Sequence, residues 1–130
     1  MIFKELREFD RLYEQEGSIP EPEKVSGEYY VITPCFPWIS LKHLKHRKVI
    51  EEKNAGANLI LNNLCFGKFE LKKENDALVI DYNQPQNSFL MRNVIDKVKL
   101  LDDGRFLGKL YYNLLGRKLF VLFFEMKPKE

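Results

Sequence analysis

The segment "KLFVLFFEM", residues Lys118–Met126, decides the fold class because its apolar side chains fall on both faces of an extended chain. Successive side chains of a β-strand point to opposite faces. One face of this strand carries Leu119, Val121 and Phe123, and the other carries Phe120, Leu122, Phe124 and Met126. A strand that is apolar on both faces must be covered on both. We therefore expect a sheet interior on one side and a packed helix on the other.

Residues 1–17 have the spacing of the covering helix. Apolar side chains recur there every three or four positions, at Ile2, Phe3, Leu6, Phe9, Leu12 and Tyr13. This spacing predicts an amphipathic helix. Gly17 is a plausible end of the helix, and Pro20 and Pro22 predict an extended connector after it. Because this helix would carry a continuous apolar stripe, we expect it to pack against the rest of the protein.

Residues 27–127 have the pattern of short strands joined by tight turns. The sequence predicts eight or nine strands with no room for crossover helices, so the sheet must be mainly antiparallel. A short helix is predicted within residues 34–48, where Trp38, Leu41 and Leu44 have helical spacing, and residues 88–101 are predicted to form one bent strand with a bulge near Asn93. The predicted fold is all-β, an antiparallel up-and-down β-barrel with an N-terminal helix, in one domain of residues 1–130.

The composition and charge of the chain limit the range of possible functions and locations. The 130 residues carry a net charge of only +2, which does not suggest a dedicated nucleic-acid binder. The charged N-terminus interrupts any apolar run of signal-peptide or membrane-spanning length, so we expect a cytoplasmic protein.

Three segments of the sequence resemble segments of a known family of barrel proteins. "GEYYV" from Gly27, "VIDKVKLLDDGRFLG" from Val94 to Gly108, and the closing "FVLFFEM" resemble lipocalins and fatty-acid-binding proteins, the calycin barrels. The C-terminal half looks most similar to small GXWXG-type domains. The resemblance implies a pocket for a hydrophobic ligand and no defined reaction.

The favoured hypothesis is non-catalytic binding of a small hydrophobic or amphipathic ligand, such as a lipid, a fatty acid or an aromatic metabolite, inside the barrel. Under this hypothesis Arg92 or a tyrosine anchors the ligand's polar head, because an inward charge requires a partner. The alternative for Arg92 is that it faces water on the outer wall. The predicted ligand-binding residues are Tyr29, Phe69, Leu71, Ile80, Phe89, Met91, Arg92, Phe106, Leu110, Tyr112 and Phe123.

The second hypothesis is an interaction protein with a packed barrel. Its binding surface is the basic cluster of residues 42–48, which would contact an acidic membrane surface or a protein partner. The alternative interpretation of this cluster is a solvated helix face at the barrel rim. The cluster consists of Lys42, His43, Lys45, His46, Arg47 and Lys48.

A third hypothesis is a small lipocalin-like enzyme, which would need an acid and a base meeting inside the barrel. No catalytic motif is present, so we expect a binding protein rather than an enzyme, with no metal and no cofactor. Two acidic residues, Asp81 and Asp96, lie on otherwise apolar strand faces. Each either faces water or meets a partner inside, where Tyr82 could contribute a hydroxyl. The oligomeric state is left open.

Overall fold

The protein is a closed antiparallel β-barrel with a helix on its outer wall. A computed structural model describes residues 2–33, 46–52, 54–61 and 64–129. Eight strands pair in sequence order, and the last strand pairs with the first. The predicted all-β up-and-down barrel with an N-terminal helix is therefore confirmed. In the described part of the chain, no helix is long and apolar enough to cross a membrane.

The helix α1 spans Ile2–Arg11 and continues into one wider, π-helical turn, Leu12–Glu16. Two short 3₁₀ turns, Pro22–Lys24 and Met91–Asn93, precede β1 and β6. The strands are β1 Gly27–Ile32, β2 Arg47–Ile50, β3 Ala55–Ile60, β4 Leu64–Lys73, β5 Leu78–Asp81, β6 Val94–Leu100, β7 Phe106–Leu114 and β8 Arg117–Pro128.

The up-and-down order gives the barrel two distinct ends. The connections β1–β2, β3–β4, β5–β6 and β7–β8 lie at one end, which we call the mouth. The connections β2–β3, β4–β5 and β6–β7 lie at the other end, which we call the floor.

The interior is packed towards the floor. Buried side chains from most strands form one core cluster, which includes Ile50, Phe69, Leu71, Leu78, Ile80, Val98 and Phe106. Gly108 in β7 is part of this packing, because a Cβ atom there would lie 2.2 Å from the ring of Phe124. The missing side chain leaves the room that the ring fills.

The N-terminal helix docks on β7 and β8, as the doubly apolar strand predicted. The rings of Phe9 and Phe123 lie 5.6 Å apart. Tyr13 is buried, with the Nζ atoms of Lys99 and Lys109 at 4.4 and 4.5 Å from its ring centre. Lys109 Nζ also lies 3.0 Å from Asp10 Oδ1. Aromatic packing, cation–π contacts and an ion pair therefore hold the helix to the barrel wall.

Phe123 was predicted to face the barrel interior, but it lies on the outer face of β8. Leu122, Phe124 and Met126 pack with the interior cluster, whereas Phe123 belongs to the cluster beneath the helix. Strand alternation then places Phe123 outside. The register of β7 and β8 shifts between Leu110 and Tyr111, so Phe120 shares the outer face with Phe123.

Residues 88–101 do not form one bent strand. Ser88 accepts a hydrogen bond from the backbone N–H of Arg92 at 3.1 Å and, through its Oγ, one from that of Met91 at 3.3 Å. These bonds close a turn, and β6 begins only at Val94. The prediction of a strand before Asn93 was therefore wrong.

Most of the short helix predicted within residues 34–48 lies outside the described residues. The last part of that segment is described, and it is strand: β2 begins at Arg47.

Candidate ligand-binding site

The half of the barrel nearest the mouth contains a cavity of about 430 Å³. Its size is within the usual range of sites for small molecules. Most of its wall is apolar, and a few polar side chains lie at its inner end. The lining residues are Val31, Thr33, His46, Lys48, Asn58, Ile60, Phe66, Tyr82, Met91, Val94, Asp96, Leu110, Leu122 and Phe124.

Phe66 reaches this wall at an irregularity in the pairing of β3 with β4. Asn58 is opposite Gly67, but the next residue, Leu59, is opposite Cys65, so Phe66 has no partner in the ladder. Its ring meets that of His46 edge to face, with centres 5.1 Å apart. A bulge of this kind redirects a side chain at a barrel rim.

Four buried side chains form a hydrogen-bonded polar cluster at the inner end of the cavity. Lys48 Nζ donates to Asn58 Oδ1 at 2.7 Å and to the hydroxyl of Tyr82. It also forms an ion pair with Asp96 Oδ2 at 3.3 Å. The Tyr82 hydroxyl accepts a bond from Asn58 Nδ2 at 2.8 Å and donates to Asp96 Oδ2 at 3.0 Å. All three ammonium protons of Lys48 therefore have an acceptor within the protein.

The two charges of this cluster are removed from water. Lys48 is 2% exposed and Asp96 is 1% exposed. Burial lowers the pKa of Lys48 and raises the pKa of Asp96, and in each case the opposite charge of the partner offsets part of the effect. Three aromatic rings, those of Phe69, Tyr82 and Phe124, lie within 5.5 Å of the ammonium group. The mutual attraction of the two charges and their hydrogen bonds offset the cost of removing such a pair from water.

Strand alternation explains why these four residues meet. Lys48 is two positions before the buried Ile50 in β2, and Asp96 is two positions before the buried Val98 in β6. Residues two apart in a strand share a face, so both charges point inward. Tyr82 follows β5 directly, and Asn58 lies on β3, which pairs with β2. Burial raises the pKa of Tyr82 well above its usual value, which keeps its hydroxyl protonated and able to donate.

His46 occupies the wall just before β2. Burial is the main cause that lowers its pKa to about 4, and the charge of Lys48 lowers it further. Its Nε2 atom is buried and has no hydrogen-bond partner among the described residues. The imidazole is therefore neutral at pH 7.

Stability should depend on pH through His46. Its pKa of about 4 in the folded protein is below the ordinary value of 6.5, so between these values the unfolded chain binds more protons. The free energy of unfolding should therefore fall as pH decreases from about 7 to about 4, with a contribution from His46 of about 2–3 kcal/mol. Urea unfolding of the wild type and of His46→Leu across this range measures it.

Asp96, whose raised pKa acts in the opposite sense, is common to both proteins and cancels in the comparison. The free energy of unfolding of His46→Leu should therefore depend less steeply on pH than that of the wild type, by the contribution of His46. Parallel pH profiles for the two proteins would show that His46 titrates normally.

The structure places the predicted ligand-binding residues in different surroundings. Met91 and Leu110 line the cavity. A second group lies inside the barrel but in the packed core below or beside the cavity, and consists of Tyr29, Phe69, Leu71, Ile80 and Phe106. Tyr112 is half-buried, opposite Val94 in the β6–β7 ladder, and is not among the lining residues.

Three predicted interior residues lie elsewhere, and their placement corrects the prediction. Phe89 is 81% exposed in the β5–β6 connection, and Arg92 is exposed, with its Nε donating to Asn83 Oδ1 at 3.0 Å. Both precede β6 because of the turn at Ser88. Phe123 lies under the helix. An anchoring role of Arg92 inside the barrel is therefore excluded.

The basic cluster predicted at residues 42–48 is divided by the fold. Lys42, His43 and Lys45 lie outside the described residues. His46 lines the cavity, and Lys48 is buried in the ion pair, because alternation in β2 turns it inward. Arg47 Nη1 lies 3.0 Å from Glu28 Oε1. The prediction that His46 and Lys48 contact an anionic surface was therefore wrong.

The sequence did not predict the polar cluster as a unit, although three of its four members had features that pointed to it. Asp96 was recognised as a charge on an apolar face, and Tyr82 as a possible hydroxyl donor. Lys48 was assigned to a surface cluster because its neighbours are basic. The alternation of Lys48 with Ile50 would have placed it on the inner face.

Comparison of the chain with protein-family models, with curated proteins and with solved structures finds no match. The resemblance to calycin barrels stays a prediction.

Proposed function

We propose that the barrel binds a small, uncharged, mainly apolar molecule in the cavity at its mouth. The observation that supports this proposal is a cavity of about 430 Å³ whose two buried charges, Lys48 and Asp96, are paired with each other. A hydrophobic pocket with a few fixed polar groups is the usual form of a site for small molecules.

The polar cluster favours an uncharged ligand over a fatty acid. A ligand carboxylate would need a cation with free donors, but the Lys48 ammonium already donates to Asn58, Tyr82 and Asp96. An unpaired negative charge brought next to Asp96 would also be repelled in a low dielectric. One buried oxygen of the cluster, Asp96 Oδ1, has no hydrogen-bond partner in the described part of the chain, and it is an acceptor. A ligand hydroxyl is the group that would satisfy it.

The same cluster brings an acid and a base into one cavity, which the enzyme hypothesis required. Lys48, Tyr82 and Asp96 Oδ2 are nevertheless bonded to one another, and these contacts favour a structural and selective role over proton transfer. Binding is therefore the function that the geometry supports best. A cytoplasmic location stays a prediction.

Filling the cavity should abolish ligand binding and leave the fold intact. Leu110→Trp replaces a leucine side chain of the cavity wall with the larger indole ring of tryptophan. We therefore expect at least about a tenfold loss of affinity, about 1.4 kcal/mol, for the neutral dye Nile red in a fluorescence titration. Leu115→Trp is the matched control, because Leu115 is 97% exposed in the β7–β8 turn. Equal affinity of Leu110→Trp and the control would mean that the dye does not bind in this cavity.

Competition separates the ligand classes. Dodecanol and dodecanoate have the same chain length and differ in the charge of the head, so the alcohol should displace Nile red at a lower concentration than the carboxylate does. Stronger displacement by dodecanoate would contradict the proposal of an uncharged ligand while leaving the cavity as the binding site.

A further inference from the structure

The two ends of the barrel differ sharply in their exposed apolar side chains. At the mouth, the described residues in or beside the β3–β4, β5–β6 and β7–β8 connections include two large exposed ones at each connection. These six residues, the apolar rim, are Leu61, Leu64, Phe89, Leu90, Leu114 and Leu115. Phe89 and Leu115 are 81% and 97% exposed. At the floor, Ala77 and Leu101 are buried instead. Clustered exposed apolar residues usually mark an interaction site.

The charges of the two ends also differ. The floor connections carry the carboxylates of Glu51, Glu52, Glu74, Asp76, Asp102 and Asp103, against the cations Lys53 and Arg105. The sequences that join the strands at the mouth, residues 33–46, 61–63, 82–93 and 115–116, contain no Asp or Glu. The nearest carboxylate in sequence, Asp81, forms an ion pair with Lys72 at 3.0 Å.

Three exposed cations accompany the apolar rim. They are Arg92 in the β5–β6 connection and Arg117 and Lys118 at the start of β8. No ion pair joins any of the three to a residue in the described part of the chain. The mouth is thus an apolar surface with uncompensated positive charge.

We infer that the mouth of the barrel docks on an anionic membrane surface. The apolar rim would enter the boundary between headgroups and acyl chains, while Arg92, Arg117 and Lys118 contact lipid phosphates. The cavity lies in the half of the barrel nearest this end, so docking would bring it close to the bilayer, where uncharged apolar molecules dissolve. The inference concerns a surface that the cavity does not include, and it can fail while ligand binding holds.

Vesicle co-sedimentation tests the charge requirement. The protein should sediment with vesicles of phosphatidylcholine and phosphatidylglycerol, and much less with phosphatidylcholine alone. In Arg117→Glu/Lys118→Glu, binding to the anionic vesicles should fall by at least about 25-fold, since each basic residue near such a surface contributes about fivefold. High salt should weaken wild-type binding in the same direction.

A charge reversal of equal size at the floor is the matched control. Lys24 and Lys127 are both exposed, and β1 begins and β8 ends at the floor, so Lys24→Glu/Lys127→Glu should bind anionic vesicles nearly as well as the wild type. An equal loss in this control would mean that net charge, and not the mouth, drives binding.

Phe89→Ser/Leu115→Ser tests the apolar rim, and should reduce binding to anionic vesicles while all charges are kept. Unchanged binding of this variant, absence of wild-type binding, or equal binding to neutral vesicles would each overturn the inference. Self-association of the wild type that is lost in Phe89→Ser/Leu115→Ser, without vesicle binding, would assign the rim to a second copy instead. Nile red titration of Arg117→Glu/Lys118→Glu should be unchanged, which separates this test from that of the cavity.

Discussion

Asp96→Asn should lower the free energy of unfolding by about 3–5 kcal/mol, because it leaves the charge of Lys48 buried without a counterion. Asn retains the size of Asp, so the loss reports charge rather than packing. Lys48 is 2% exposed, so bulk water does not solvate its charge in place of Asp96. Urea unfolding followed by circular dichroism at neutral pH measures the change.

Two matched variants make this result specific. Lys48→Met/Asp96→Leu removes both charges together, so its stability should be much closer to that of the wild type. Lys72→Met breaks an ion pair of similar length, 3.0 Å, whose lysine side chain is 55% exposed. Its cost should be below about 1 kcal/mol.

The decrease in the free energy of unfolding caused by Asp96→Asn should also be smaller at high pH. Burial already lowers the pKa of Lys48, and without Asp96 nothing offsets that effect, so deprotonation relieves the uncompensated charge. If Asp96→Asn is as stable as the wild type at neutral pH, Lys48 and Asp96 do not form a charged pair in the folded protein.

Phe123→Ala should cost about 3–5 kcal/mol, the usual penalty for emptying the space of a buried phenylalanine. Phe123 is 2% exposed and lies in the centre of the cluster between the helix and the barrel wall. Its ring contacts Phe9 of the helix, and Lys109 Nζ lies 5.6 Å from its centre. The loss should therefore also increase amide exchange in α1 relative to the barrel strands.

Phe120→Ala is the control for this prediction. Phe120 is the same residue type on the same outer face of β8, but it is 44% exposed. Its truncation removes less buried area and should cost no more than about 1.5 kcal/mol. Equal losses in the two variants would mean that the helix does not depend on Phe123 for its docking.

The architecture could be predicted from local patterns. Helical spacing in residues 2–13 and alternation in the strands are properties of neighbouring residues, and the helix and the eight strands appear in the structure, apart from the predicted strand before Asn93. The two-faced strand at Lys118–Met126 also required a helix on its outer side. The prediction that Phe123 faces the interior was wrong because alternate residues of β8 face opposite sides and both sides are apolar. The sequence therefore does not indicate which of the two sides is inside.

The candidate site was less predictable because it depends on which distant residues meet. Asp96 and Tyr82 were recognised as unusual, but their partner Lys48 lies 34 positions before Tyr82 in the chain. The "KHLKHRK" sequence that contains Lys48 has the composition of a solvated surface. A hydrogen bond at Ser88 moved Phe89 and Arg92 out of the predicted strand, and such a bond leaves no periodic signal.

The sequence by itself determined that this chain forms a closed antiparallel sheet covered by one helix, because periodicity fixes which side chains must leave water. Only the tertiary structure decided that the sheet is hollow at one end, that Lys48 and Asp96 neutralise each other inside it, and that exposed apolar side chains gather at the mouth. Periodicity determines the face on which a side chain lies. Barrel closure and strand register determine what that side chain meets.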